Sequence, residues 1–146
     1  MAILPPLKSQ YPDSHVTWIT GENAIPLFEN VEFVDEVLGY RDPLTTHFLQ
    51  TVTFDLVMNP DANKTSVAIA SLVEAKEKRG FFLGSSGEII ASNDRACEWF
   101  LMGINDDIKK RNTRTYQQII LDMLDLDENG SYIPLNLSNE EMGKSE

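Results

Sequence analysis

Three short runs in this chain hold residue types from which a binding site could be built. The first is Gly21, Glu22 and Asn23, which follow a β-branched stretch over residues 15–20. Glycine permits close backbone approach, and the Glu22 carboxylate could accept a hydrogen bond from a ligand hydroxyl. A plain turn followed by a helix cap uses the same residues. The second run is Asn59, Pro60, Asp61, Asn63, Lys64 and Thr65, between an apolar segment and a helical one. Free N–H groups at a helix start, with the charge of Lys64, could dock an anionic group. Simple capping by Asp61 or Asn63 would demand the same residue types. The third run is Lys109, Lys110, Arg111 and Arg114. Arginine pairs bidentately with phosphate or carboxylate, but a flexible basic loop kept for solubility has the same composition.

Other reactive side chains stand alone. His15 and His47 have no Cys or His neighbour at ligand spacing, which argues against metal or general-base roles. No Ser/His/Asp order suggests a hydrolase. Cys97, in RACEWF, reads as a buried small apolar group. Asp125, Asp127, Asn129 and Gly130 imitate the opening of a calcium loop, but its twelfth position is Asn136 instead of a bidentate Glu. A turn that ends a helix, with Gly130 at positive φ, is the expected reading. No metal and no cofactor is expected.

The elements that would position these residues alternate in type. Residues 3–10 can be helical if Pro5 and Pro6 lie in the first turn. A turn at 11–13, a strand at 15–20, a short helical segment at 24–28 and a strand at 34–38 follow. Asp42 is expected to cap a helix that has Pro43 at its first position and runs to residue 50. Residues 54–58 read as a buried parallel strand. Residues 65–75 form an Ala-rich helix, apolar nearly all round, and residues 79–83 form the next strand. Residues 85–93 suggest a hairpin or a short strand with a Gly turn, after which Asp94 caps a helix through residue 102. Tyr116, Ile119, Ile120, Met123 and Leu124 fall at helical spacing and mark the cleanest amphipathic helix. Such alternation predicts an α/β fold with a doubly wound parallel sheet and helices on both faces. In such sheets ligands sit beyond the carboxyl ends of strands, where Gly21 and Asn59 fall.

Composition bounds the function. With 146 residues, 42% hydrophobic and 24% charged, the chain fits one domain with a sizeable core. Its apolar runs are too short to span a bilayer, and the start, MAILPPLK, lacks the apolar run of a signal peptide. A lone cysteine fits a reducing compartment, hence a cytoplasmic expectation. The net charge of −11 argues against nucleic acid as a partner. Seven of the 12 cations nevertheless lie in two clusters, one of Lys76, Lys78 and Arg79 and the other the third run above. The clusters are either two solvated faces or a local landing site for anionic headgroups or sugar phosphates.

The segment LKSQYPDSHVTWITGENAIPLFENVEFVDEVL resembles the start of family 9 glycosyltransferases, the lipopolysaccharide heptosyltransferases and their relatives. FDLVMNPD, the Ala-rich helix and KEKRGF follow in the family's order, and NDRACEWFLMGINDDIKKRNTRTYQQI is similar to a subset of it. The resemblance implies the N-terminal, acceptor-binding half of a two-domain GT-B-type enzyme. Residues 1–137 would form the Rossmann-like domain and 138–146 a polar tail or linker. The implied reaction moves a heptose-like sugar from a nucleotide-sugar to a hydroxyl on a lipid-linked oligosaccharide acceptor, with no required metal. Acceptor-binding positions would be Gly21, Glu22, Asn59, Asp61, Lys64, Lys110 and Arg111. Peripheral attachment to the inner membrane face follows from a lipid-anchored acceptor.

The family's first strand and Gly-Asp motif, whose Asp is implied to be the general base, match nothing here, and the nucleotide-sugar would be held by a C-terminal domain. Transfer needs both reactants held in line, so the 146 residues alone are expected to be inactive. Two alternatives remain open. FFLGSSGEIIASNDRACEWF has the outline of a PAS-like sensory module that binds a small molecule without catalysis. An inert product with an exposed sheet edge, prone to aggregate, is the other.

Overall fold

Leu4–Gln10 forms α1 because its prolines fall at the first positions, where no intrahelical N–H is required. Strand β1, Thr17–Thr20, runs into a 3₁₀ helix, Glu22–Phe28, and then strand β2, Glu36–Gly39. β1 and β2 pair in parallel, with Thr17 opposite Glu36 and Thr20 opposite Gly39. The computed structural model describes residues 2–28 and 30–128. The chain divides after Asp42 into two compact units, each with its own sheet.

The first unit has a small core of Leu4, Val16, Phe28 and Val31, with Trp18 and Val37 half-buried against it. Trp18 and Phe28 stack at 5.0 Å. A polar pin supplements these few apolar contacts. The Asp35 carboxylate accepts the Val16 N–H at 2.7 Å and faces the Lys8 ammonium at 3.3 Å, while Lys8 also donates to the Ser14 carbonyl. The Val16 hydrogen bond, then Lys8, holds the Asp35 carboxyl below its ordinary pKa, partly opposed by desolvation.

The second unit begins with α2, Pro43–Thr51, and strand β3, Thr53–Asn59. Helix α3, Lys64–Leu72, leads to β4, Glu74–Leu83, which pairs in parallel with β3. β4 turns through a hairpin into β5, Ile89–Ala91, with Gly87 at φ +82° in the turn. Helices α4 (Asp94–Ile104), α5 (Asp106–Arg111) and α6 (Tyr116–Leu124) complete it. Phe81, Val67, Ala96, Leu121, Met123 and Leu124 are its most deeply buried apolar side chains. Thr115 and Gln118 form a capping box at the start of α6.

The chain is thus mixed α/β, with parallel strand pairs joined by helical crossovers. Several local expectations need correction. The third helix stops at Leu72, and residues 74–78 extend β4. The helix is expected to include residues 74 and 75 and the strand to begin at 79, but pairing with β3 starts β4 at Glu74 and places Lys76 within 2.6 Å of Asp55 across the strands. β3 is half-exposed because it is the outer strand of its three-stranded sheet. Asn93, not Asp94, caps α4 by accepting the Ala96 N–H. Cys97 is exposed, not buried. Residues 106–111 are a helix and not a basic loop: Asn105 caps the start, and Lys109, Lys110 and Arg111 occupy the last turn, where cations complement the dipole.

α6 ends on Asp125 itself, at φ +53°. Gly130 and the tail from residue 138 lie outside the described residues. Among those described, no helix is long and apolar enough to cross a membrane.

Candidate functional site

The expected binding residues fall on strand ends and one helix end, as the parallel pairing requires. In the first unit, Gly21 and Glu22 follow the carboxyl end of β1. Glu22 reaches across to the end of β2, where its Oε1 accepts the Arg41 N–H at 2.7 Å. The Arg41 guanidinium stands 3.8 Å from its other oxygen and 5.6 Å above the Tyr40 ring. Gly39 makes this possible: a Cβ there would lie 3.0 Å from the Glu22 carboxylate. The result is an edge with a half-exposed carboxylate, an exposed guanidinium and an aromatic ring. Those groups can hydrogen-bond vicinal hydroxyls and pack against a sugar ring.

Asn59, Asp61 and Lys64 occupy the corresponding edge of the second unit. Asn59 is buried, and its amide donates to the carbonyls of Phe81, at 2.8 Å, and Asp61, at 3.0 Å. Its Oδ1 accepts the Asp61 N–H at 3.3 Å. Asp61 accepts the Asn63 N–H and the Asn63 side-chain amide. Asn63 in turn caps α3 by accepting from Thr65 and Ser66. The first donors of α3 are therefore taken by a side chain, which is the capping arrangement, with Asn63 as the cap. Lys64 is exposed and makes no ion pair among the described residues.

Lys110 and Arg111 sit in the last turn of α5 and likewise have no ion-pair partner among the described residues. Their neighbour Arg114 is committed. It bonds Asp122 at 2.8 Å and Glu98 at 2.7 Å, and these carboxylates raise its pKa further. The other basic cluster is dispersed by strand alternation. Lys76 pairs with Asp55, and Lys78 lies 5.4 Å from the Phe82 ring centroid. Buried Arg79 donates to the Leu124 and Asp125 carbonyls at 2.9 Å each and meets Glu77 at 2.7 Å. Arg79 is a strut between β4 and the end of α6.

Thus Gly21 stands with Glu22, Asn59 with Asp61 and Lys64, and Lys110 with Arg111. No hydrogen bond or ion pair links Lys110 or Arg111 to the 59–64 loop among the described residues. His15 and His47 are exposed, and no three His, Cys, Asp or Glu side chains gather as for a metal ion among those residues. Asn129, Gly130 and Asn136 of the calcium-like run lie outside the described residues. Sequence reasoning passed over Tyr40 and Arg41, although they follow the second strand just as Gly21 follows the first. Applying the strand-end rule to β2 would have found them.

No family model, no curated protein and no solved structure matches this chain.

Proposed function

We propose that this chain is the acceptor-binding part of a glycosyltransferase, with the Rossmann-like arrangement of a GT-B N-terminal half. It presents a lipid-linked oligosaccharide to a heptose-like sugar supplied by a nucleotide-sugar bound in a C-terminal domain. The observation that carries this reading is the edge beyond β1 and β2. Glu22, Tyr40 and Arg41 converge there on the carboxyl side of a parallel pair, where α/β folds bind ligands. The sequence resemblance over the same strands supports the substrate class.

Amide chemical shifts of the full chain, titrated with a deacylated lipopolysaccharide-core oligosaccharide, test it. Gly21, Glu22, Tyr40 and Arg41 should move with the oligosaccharide and stay still with a nucleotide-sugar. Absence of any shift, or shifts only with the nucleotide-sugar, would remove the proposal. A PAS-like alternative draws on the β4–β5 hairpin running into the Asn93-capped helix. A copurifying small ligand and no affinity for the oligosaccharide would favour it.

A further inference from the structure

The second unit contains a groove formed by α4, α5 and the start of α6. Its volume is about 230 Å³, and its lining includes Trp99, Met102, Gly103, Lys109, Tyr116 and Ile119. Trp99 and Tyr116 meet edge-to-face at 5.4 Å, and Tyr116 is 66% exposed. Gly103 faces open space, since a Cβ built there meets no heavy atom within 4 Å. Drug-sized sites run from roughly 300 to 1,000 Å³, so this groove takes a single ring or a short chain.

Its polar lining decides which. Asn112, also in the lining, is used at both ends of its amide, accepting the Arg114 N–H and donating to the Arg114 carbonyl. The Arg114 guanidinium is held by Glu98 and Asp122. Few groups therefore remain to satisfy the hydroxyls of a sugar, and burying those unpaired is costly. Lys109 is different: it forms no ion pair among the described residues. It opens the run Lys109, Lys110, Arg111, which forms no ion pair among the described residues although Asp106 and Asp107 lie one turn earlier. An apolar floor beside a free ammonium complements an apolar chain that ends in an anion.

We propose that this groove binds a single anionic amphiphile, an alkyl chain lying on Trp99, Met102 and Ile119 with its phosphate on Lys109. The site does not depend on whether the Glu22 edge binds sugar.

Calorimetric titration of the full chain with octyl phosphate, octyl glucoside and inorganic phosphate, all below micelle formation, tests it. Octyl phosphate should bind saturably at one site and at least tenfold more tightly than either of the others. Gly103→Leu fills the open space with a better helix former, so it should abolish binding without lowering Tm. Lys109→Gln should weaken octyl phosphate about tenfold and leave octyl glucoside unchanged. Should Gly103→Leu fail to fold, Tyr116→Ala removes one exposed wall and should weaken binding by a similar factor. Non-saturable uptake, equal affinity for inorganic phosphate, or wild-type binding by the Gly103 or Tyr116 variant would each overturn the proposal. Octyl phosphate carries no sugar, so its failure to bind would leave the acceptor reading intact.

Discussion

The carboxyl ends of β1 and β3 answer the same local problem with different chemistry. Beyond β3, Asn59, Asp61 and Asn63 satisfy one another and the first turn of α3, leaving little for a ligand. Beyond β1, Glu22 uses one oxygen on the Arg41 backbone, and its carboxylate stays half-exposed beside Arg41 and Tyr40. A closed polar network makes a rigid junction, whereas a partly used one leaves acceptors facing solvent. Similar residue types thus form a closed structural network at one edge and leave polar groups open to solvent at the other.

The sharpest way to break this comparison is Gly80→Ala. Gly80 pairs with Asn59 at φ +104°, and a Cβ there would lie 2.0 Å from the Asn59 carbonyl oxygen. Strain and collision together should cost about 3 kcal/mol or more. Denaturant unfolding followed at Trp99 should show it, and a loss under 1 kcal/mol would mean the β3 junction is not rigid. Asn59→Ala comes next: it strands the buried Phe81 carbonyl and should cost about 2 kcal/mol. Asn63→Ala removes the α3 cap and should cost about 1 kcal/mol, with Asn63→Asp recovering most of it.

Glu22→Gln sharpens the other side. Gln keeps an oxygen for the Arg41 N–H, so stability should change by less than about 0.5 kcal/mol, while core-oligosaccharide affinity should fall about tenfold. Equal affinity would reduce Glu22 to a turn residue. Reversing Lys110 and Arg111 to Glu should leave Tm nearly unchanged and weaken an acceptor that carries phosphate. An unaltered affinity would make them solvated surface.

The smallest effect concerns pH. Asp35 has a folded pKa below its ordinary 3.8, so its contribution to stability is present above that value. It is lost as pH falls through the lowered one. Asp35→Asn should flatten the acid limb of unfolding curves read at Trp18, and an unchanged limb would deny the pin a role.

Much of the local structure was legible. The prolines of α1, the Pro43 helix start, the hairpin turn at Gly87 and the period of α6 are short-range signals, set within one or two turns of chain. Tyr116, at the exposed end of the α6 pattern, shows the limit: its spacing is helical, yet it walls a groove and stays out of the core. The start of β4 was not legible, and residues 74 and 75 fell to the helix instead, because Glu, Ala and Lys suit a helix as well as a strand and only β3 alongside decides.

Residue order by itself determined where strands end and which polar groups stand there, because a βα junction needs glycine, cap and turn residues whatever surrounds it. Tertiary structure alone decided what those groups do. Arg79 became a buried strut and Arg114 a clamp on two carboxylates, whereas Lys109 has no ion-pair partner among the described residues and lies beside an apolar groove. The reason is physical: a side chain's partners come from chain segments far away in sequence, and its charge is available only where none of them neutralises it.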